Sequence, residues 1–413
     1  MLTAEIIAIG SELLTPAFHD TNSVFLTEQL NEIGIPVVLR TIVGDSEKHL
    51  EHALESATDR TPIVITIGGL GPTEDDITRK VVAQVARLQL ILNDEILMGL
   101  EQRFARRGQT MPANNARQAL VPSGGLVLNN PNGTAPGIWL ETEKNTLILL
   151  PGPPGELRPM FEDLCLPRLA RMAGGLVLER RLYRTTGLPE SVLDSRIAPI
   201  YTRYTNPETT ILAKPGQVDV RLTARGRTPD EARAAIEEVG SEIEKELGDC
   251  IFATGEQELE EVVGMYLVMT HATIATAESC TGGLLAERLT RVPGSSRYFQ
   301  SGMVVYSNES KVELAGIPPL LLAMDGAVSK DVAIGLAESI REKRHTTIGV
   351  GITGIAGPAG GSPEKPVGTV HISVAGPAGT RHSQFVFPGA RDRVRWQASQ
   401  AALDMVRRLV QRF

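Results

Sequence analysis

The sequence predicts an α/β protein of several domains, and three observations predict it. The chain has 413 residues, more than one ordinary hydrophobic core accommodates. Through its first and last thirds, short β-branched runs alternate with amphipathic helical stretches, the pattern of open sheets covered by helices. Between them lies a stretch of different character, with helical patterns around an apparent hairpin. These changes place three domains at roughly 1–170, 171–252 and 253–413. The first and third are α/β and the second is a small α+β domain.

Taken in order, AEIIAIG reads as a strand and TNSVFLTEQLNEIG as an amphipathic helix stopped by Gly34. PVVLRTIVG and TPIVITIGG are further strands, with SEKHLEHALESATDR the helix between them. The run Ile63–Ile67 is apolar throughout, which suits a parallel strand covered on both faces. Ligands of such open sheets bind at the carboxyl ends of the strands. In the middle segment PESVLDSRIAPIY is helical, and TTILAKPG and VDVRLTARG pair across a turn at Pro215–Gly216. TPDEARAAIEEVGSEIEKELG is a helix capped by Thr228, with Pro229 at its first position and Gly248 at its end. This segment carries no catalytic constellation and reads as a spacer or interaction module, or else as a substrate-binding lid. The third segment opens with the helix ELEEVVGMYLVMTHA, then the strand TIATAE, the loop SCTGG and the helix LLAERLTRV. GMVVYS, NESKVELAGI, VSKDVAIGLAESIREKR and TTIGVGITGIAGP continue the alternation. VGTVHISVAG and TRHSQFVFPG look like an antiparallel pair. The last helix, ARDRVRWQASQAALDMVRRLVQRF, reads as packing one apolar face and exposing arginines, and it offers a face for a homodimer.

A net charge of −8 argues against a general nucleic-acid binder. Arginines near 103–107 and 391–395 are either local basic patches or solvated helix surface. No apolar run is long enough to predict a membrane span, and MLTAEIIAIGSELL reads as a buried strand, not a signal peptide. Three scattered cysteines without CxxC spacing fit a reducing cytoplasm and no structural zinc.

The C-terminal chemistry centres on Ser279, placed between a strand and a helix. There its hydroxyl sits at the sheet edge near a positive helix end, where it is either a nucleophile or a simple N-cap. Thr281, Gly282 and Gly283 follow, so backbone N–H groups can approach a ligand. A hydroxyl nucleophile needs a base. Lys311 and Tyr306 stand on the next strand–helix turn, and a Lys buried among apolar groups can lose its proton near neutral pH. Tyr306 relays a proton or holds the Lys, and Ser296 offers another hydroxyl. Cys280 is the rival nucleophile, but no His stands nearby to make a thiolate. The loop from Thr353 and Gly354 to Gly357 reads as a carrier of phosphate or ribose contacts, or as a tight turn. Arg391 and Arg395 could pair with a phosphate or be free surface charges. His271 and His371 read as structural.

AESCTGG (277–283), PGSS (293–296), VVYSNESK (304–311), TGIAGP (353–358) and FPGAR (387–391) together resemble the CinA C-terminal domain family, the nicotinamide mononucleotide deamidases. The resemblance covers the whole third segment. It implies hydrolysis of the nicotinamide carboxamide to a carboxylate and ammonia without a metal. Ser279 would attack, Lys311 and Tyr306 would move protons, and Ser296 would assist.

In the first segment, GGLGPTEDDIT follows a strand and opens a helix. Gly68, Gly69 and Gly71 let backbone wrap an anion at a helix N-terminus, with Thr73 and Thr78 as hydroxyl partners. Asp75 and Asp76 would repel a phosphate unless a divalent cation intervenes, although either could instead cap the loop. Asn22, Gly133 and Thr134 sit on loops of the same kind, and Asp20 and Glu156 are further candidate metal ligands. This segment resembles the molybdopterin-binding (MoaB/MogA-like) fold and, more closely, the CinA N-terminal domain. Leu70 replaces the Thr usual in the GGTG of the molybdopterin proteins. The resemblance to CinA implies an ADP-ribose pyrophosphatase that uses magnesium or a similar ion and yields AMP and ribose 5-phosphate. The expectation is therefore a bifunctional enzyme of pyridine-nucleotide salvage. The alternative is a ligand-binding or scaffold protein with no N-terminal catalysis. Cleavage of ADP-ribose to AMP would separate the two.

Overall fold

The computed structural model describes residues 2–106 and 108–413, so Arg107 of the first arginine cluster lies outside the described residues. The chain forms two compact units, residues 1–179 with 225–233, and 180–224 with 234–413.

The first unit is built on a six-stranded sheet. Strands Val37–Val43, Ala4–Ile9, Ile63–Ile67 and Thr146–Leu150 lie side by side in that order and parallel. Gly137–Glu141 and Leu126–Leu128 add antiparallel strands at the far edge. The period of two in a strand explains why Ile63–Ile67 is apolar throughout. Ile63, Ile65 and Ile67 enter one core with Leu26, Leu30 and Phe161, while Val64 enters the other with Leu50, Leu54 and Val81. The register pairs Ala8 with Ile67 and Ile67 with Leu150. The loops that follow these strands, starting at Gly10, Gly68 and Pro151, therefore emerge along one edge.

The middle segment is α+β, as its pattern predicts. Strand Val177–Thr185, helix Glu190–Tyr201, strands Glu208–Lys214 and Gln217–Gly226, helix Pro229–Leu247 and strand Ile251–Thr254 form a split β-α-β-β-α-β arrangement. Thr228 opens the long helix, its Oγ1 accepting from the Glu231 N–H at 3.2 Å.

The C-terminal sheet orders strands Phe299–Val304, Ile274–Glu278, Ile348–Gly354, Thr369–Gly376 and Gly379–Val386. The first three are parallel and the last two are added antiparallel. In IGVGITG, Ile348, Val350 and Ile352 enter the core beneath the helices Leu259–Met269 and Arg391–Val410. The alternate residues Gly349 and Gly351 lie against the backbone of helix Lys330–Arg344. A Cβ at either would collide with the Ala337 or Ala333 carbonyl, so glycine is what lets this helix sit on the sheet.

The last helix departs from expectation. It is no free amphipathic surface: Val394, Ala398, Ala402, Leu403 and Val406 are buried, and so are Gln397, Ser399, Gln400 and Arg407. Arg407 pairs with Asp404 at 2.6 Å and donates to the Asp249 carbonyl at 2.7 Å. A second buried cation ties three helices together. Arg288, on helix Leu284–Arg291, bonds Glu260 at 2.6 Å, Gln400 at 2.7 Å and Ser399 at 2.9 Å, and it stacks over Trp396. Arg288→Met leaves the buried Glu260 carboxylate without this partner and is expected to cost about 3–5 kcal/mol. The check is a lower urea midpoint at unchanged m-value.

Candidate active sites

Parallel register decides which C-terminal residues meet. Glu278 stands opposite Val304 on one side and Ile352 on the other. Ser279, Tyr306 and Thr353 consequently all leave the sheet at one edge. Lys311 comes to the same edge on helix Asn308–Glu313, which Ser307 and Ser310 start through a reciprocal capping box.

At this edge Ser279 is mostly buried, and its Oγ makes no hydrogen bond among the described residues. It does not cap the helix. That role belongs to Glu278, which the sequence reading passed over. Its buried carboxylate accepts from the N–H groups of Gly283 at 3.1 Å, Leu285 at 3.0 Å and Ala286 at 2.8 Å. The helix terminus is thus already occupied by an anion. Gly282 and Gly283 correct their expected role as well. The Gly282 N–H goes to the Ser279 carbonyl and the Gly283 N–H to Glu278, so neither is free for a ligand. Both have positive φ, 61° and 92°, and their task is to turn the chain. The Thr281 side chain is buried with an unpartnered hydroxyl, while its carbonyl accepts from Arg395.

Lys311 is buried, and its Nζ donates to the carbonyls of Tyr306 at 3.2 Å and Ser307 at 3.5 Å. Burial pushes the amine below the ordinary lysine value, while the nearby Cys280 and Glu309 partly oppose it. Tyr306 holds the Lys through its backbone, and its phenol accepts from Arg391 at 2.7 Å. Arg391 also donates to the Gly357 carbonyl at 2.8 Å, clamping the TGIAGP loop to Tyr306. Thr353 is buried, and its hydroxyl is spent on the Ala327 carbonyl. Gly354 packs against Val370 and the Thr369 carbonyl. Arg391 and Thr353 hold loops in place and are not free phosphate ligands as they stand.

Ser296 is not brought to this site. It precedes strand Phe299–Val304, whose first residue pairs with Ile274, at the opposite end of the sheet. Five residues of strand Ile274–Glu278 separate the two edges, about 17 Å at the usual rise. Cys280 is buried and belongs to the core beneath the sheet. Burial pushes its thiol up to about 12. That keeps the thiol protonated at neutral pH. Cys280→Ala is expected to retain ammonia release from a nicotinamide substrate within about threefold, measured as kcat/KM. His371 contacts a second histidine, His382, at 3.0 Å between strands, and stands opposite Thr353 in the sheet.

In the first unit, a cavity of about 400 Å³ opens at the carboxyl edge of the sheet, lined by Gly68, Gly69, Gly71, Asp75, Thr134 and Glu156 among others. The glycines are needed. Gly68 and Gly69 have φ of 94° and 66°, and a Cβ on Gly69 would strike Thr78. Several expected ligands turn out to build the loop. Asp76 accepts from the Gly71 N–H at 2.6 Å and from the Thr73 N–H at 2.8 Å, and also from the Thr73 hydroxyl. Thr78 is buried and bonds the Gly68 carbonyl at 2.8 Å. Asp20 accepts from the Ser23 N–H at 2.9 Å, at the start of helix Asn22–Glu32. Asn22 ties that helix to the Gly152 carbonyl at 2.7 Å, and its Oδ1 is buried without a partner. Glu156 accepts from Asn130 at 2.7 Å, which also holds the Gly133 N–H, and Thr134 accepts from Gln118 at 3.1 Å. Asp75 is exposed at the rim.

Tested as a cation site, this donor set does not fit. Of the four carboxylates expected as ligands, Asp20 and Asp76 accept backbone N–H groups, and Asp20 lines a neighbouring cavity, not this one. Among the described residues, no three His, Cys, Asp or Glu side chains are grouped closely enough to hold a metal ion. The positive element the sequence reading missed is Arg79. It is buried under the glycine loop and bonds the carbonyls of Leu70 and Gly71, and burial lowers it to about 10. Arg103 is likewise no solvated surface charge. It holds the loop 130–133 through the carbonyls of Gly133, Asn130 and Pro131. Among the described residues, no helix is long and apolar enough to cross a membrane.

Comparison with known proteins finds three family models along the chain. A family model described as the CinA C-terminal domain matches residues 256–410. One described as a probable molybdopterin binding domain matches 5–171, and one described as the damage-inducible protein CinA KH domain matches 180–253. A CinA-like protein of Koribacter versatilis is 51% identical over 411 residues, covering 98% of this chain and 99% of its own. One from Acidobacterium capsulatum is 47% identical over the same length, with 98% and 99% covered. Among solved structures, a competence/damage inducible protein from Agrobacterium tumefaciens is 32% identical, covering 38% of this chain and 99% of its own, with a TM-score of 0.36.

Proposed function

This chain belongs to the CinA family, and from that membership we propose that its C-terminal domain hydrolyses the carboxamide of nicotinamide mononucleotide to nicotinate mononucleotide and ammonia. The observation that carries the reading is the convergence of Ser279, Lys311 and Tyr306 at one sheet edge, with Lys311 buried and its amine lowered. In the reaction the Ser279 oxygen bonds the carboxamide carbon while its proton passes to Lys311. The tetrahedral intermediate collapses by breaking the C–N bond, and ammonia leaves with the proton that Lys311 returns. Water then cleaves the ester, freeing Ser279 and releasing the carboxylate. The oxyanion takes N–H groups that the fold has left unused. Ser279, Gly282 and Gly283 have given theirs away and the Cys280 N–H lies on its own thiol, which leaves the Thr281 N–H, unbonded among the described residues, as the donor this loop offers. Substrate binding must shorten the Ser279–Lys311 approach, as is common for catalytic hydrogen bonds that tighten in the complex. The test is ammonia release from nicotinamide mononucleotide in the presence of a chelator. Release supports a metal-free serine amidase, and no release rejects it.

For the N-terminal unit we read the cavity as a nucleotide site. Hydrolysis of ADP-ribose to AMP and ribose 5-phosphate is what the family likeness suggests. The engagement of Asp20 and Asp76 by backbone favours the second reading, a binding domain without catalysis. No step is derived through a metal here. AMP release from ADP-ribose with magnesium supports hydrolysis, whereas binding without release supports the binding domain.

A further inference from the structure

Strand Phe299–Val304 is the outermost of the C-terminal sheet, with a neighbour on one side only. The Tyr298 carbonyl and the Val305 N–H are spent on that neighbour, through Ile274 and Glu278. Backbone groups alternate in direction along a strand, so those of Gly302 and Val304 face the open side. FQSGMV carries no charge and no proline, the usual guards of a free edge. Val304 is 48% exposed, and Leu314, Leu320 and Met324 on the connection after it are exposed too.

The two ends of this edge carry opposite charges. Arg297, just before the strand, is exposed, and its guanidinium has no hydrogen bond or ion pair among the described residues. Glu309, just beyond the other end, is exposed and in no ion pair among the described residues. An edge so marked is complementary to itself reversed. Antiparallel pairing about a two-fold axis brings each Arg297 toward the other copy's Glu309, and does so twice. A second copy of the chain supplies both charges at once, which selects it as the occupant. Centred on the strand, the pairing sets Phe299 opposite the second copy's Val304. Ser296 lies three residues before Phe299, so the second copy's Ser296 falls beside the turn that carries Tyr306. The reversal thus closes the gap that separates Ser296 from the site within one chain.

We propose that two copies of this chain pair through strand Phe299–Val304, and that each supplies Ser296 to the other's nucleotide site. The role given to Ser296 rests on the amidase reading of the Ser279 site. Ser296 is exposed, and its hydroxyl has no partner among the described residues. From the partner strand it stands two strand spacings from Ser279, about 10 Å. That is too far to touch the carboxamide under attack, and it suits the ribose or phosphate of the same nucleotide. Ser296 is therefore a substrate-binding residue, and its loss should appear in KM.

The experiment has two arms, both on the full-length protein. In the first, Ser296→Ala is expected to lower kcat/KM for ammonia release about tenfold through KM. Ser279→Ala and Ser296→Ala chains are then co-expressed in equal amounts. A mixed dimer rebuilds one intact site, Ser279 from one chain and Ser296 from the other, giving about a quarter of wild-type kcat/KM. A mixture at about a twentieth, the value when each Ser296 serves its own chain or none, overturns the proposal. The second arm is sedimentation of wild type, Arg297→Glu and Arg297→Glu with Glu309→Arg. The expected result is a wild-type dimer, weakened about tenfold or more by Arg297→Glu and restored in the charge swap. A monomeric wild type, or equal dimerisation of all three, overturns the pairing. No ammonia from wild type rejects the amidase reading and the role of Ser296 with it, whereas the sedimentation result judges the pairing by itself.

Discussion

Ser279→Ala is expected to lower kcat for ammonia release by about 10⁴-fold or more, with KM for nicotinamide mononucleotide changed little. The size follows from the chemistry. Without the hydroxyl no ester forms, and water must attack an amide directly in a site shaped for a different nucleophile. Little else should change, because the Ser279 hydroxyl bonds nothing among the described residues and its backbone N–H bond to Ile352 survives the substitution. Glu278 still caps the helix and still shapes the loop. Thermal unfolding should therefore stay near wild type. A loss of activity that tracks a loss of stability would assign Ser279 a structural role instead.

Lys311→Met is expected to cost about 10²–10⁴ in kcat, the range for a general base. The same residue fixes the pH profile. Only the neutral amine accepts a proton, so activity rises with pH through the Lys311 titration and levels off above it. Burial shifts that titration below the ordinary lysine value, which brings the rise closer to neutral pH. Glu309 opposes the shift, since its negative charge favours the ammonium form. Glu309→Gln removes that opposition and should move the rising limb of kcat/KM to lower pH. A limb that stays put, or moves to higher pH, would show that another group titrates. Lys311→Arg keeps a permanent charge and should be as inactive as Lys311→Met.

Much of this molecule is legible in its sequence, for reasons that differ by element. Ile63–Ile67 and Ile348–Gly354 read correctly because a buried strand needs apolar residues in a short unbroken run, and the glycines of IGVGITG mark where a helix presses on the sheet. Helix Pro229–Leu247 read correctly because its cap, first proline and closing glycine are local signals. Leu120–Pro122, Leu126–Leu128 and the helix Pro319–Asp325 are too short to carry a period, and they went unread. At the candidate site, Ser279, Lys311 and Tyr306 could be found from residue type and their place after strands. Ser296 could not be excluded, because only strand register shows that PGSS leads into the sheet at the wrong edge. The acids divided for a similar reason. Asp76 looks like a ligand-binding carboxylate in a motif and Glu278 drew no reading at all, yet each is spent on N–H groups a few residues away. Buried Arg79, Arg288 and Arg407 were invisible as core because a guanidinium is interior only when distant segments supply its acceptors.

The central claim is that Ser279 carries the acyl group, and mass spectrometry of protein quenched during turnover of nicotinamide mononucleotide tests it most directly. The account predicts an added nicotinoyl nucleotide on the peptide containing Ser279, present in Cys280→Ala and absent in Ser279→Ala. An adduct that survives Ser279→Ala and disappears in Cys280→Ala would contradict it, as would undiminished ammonia release from Ser279→Ala.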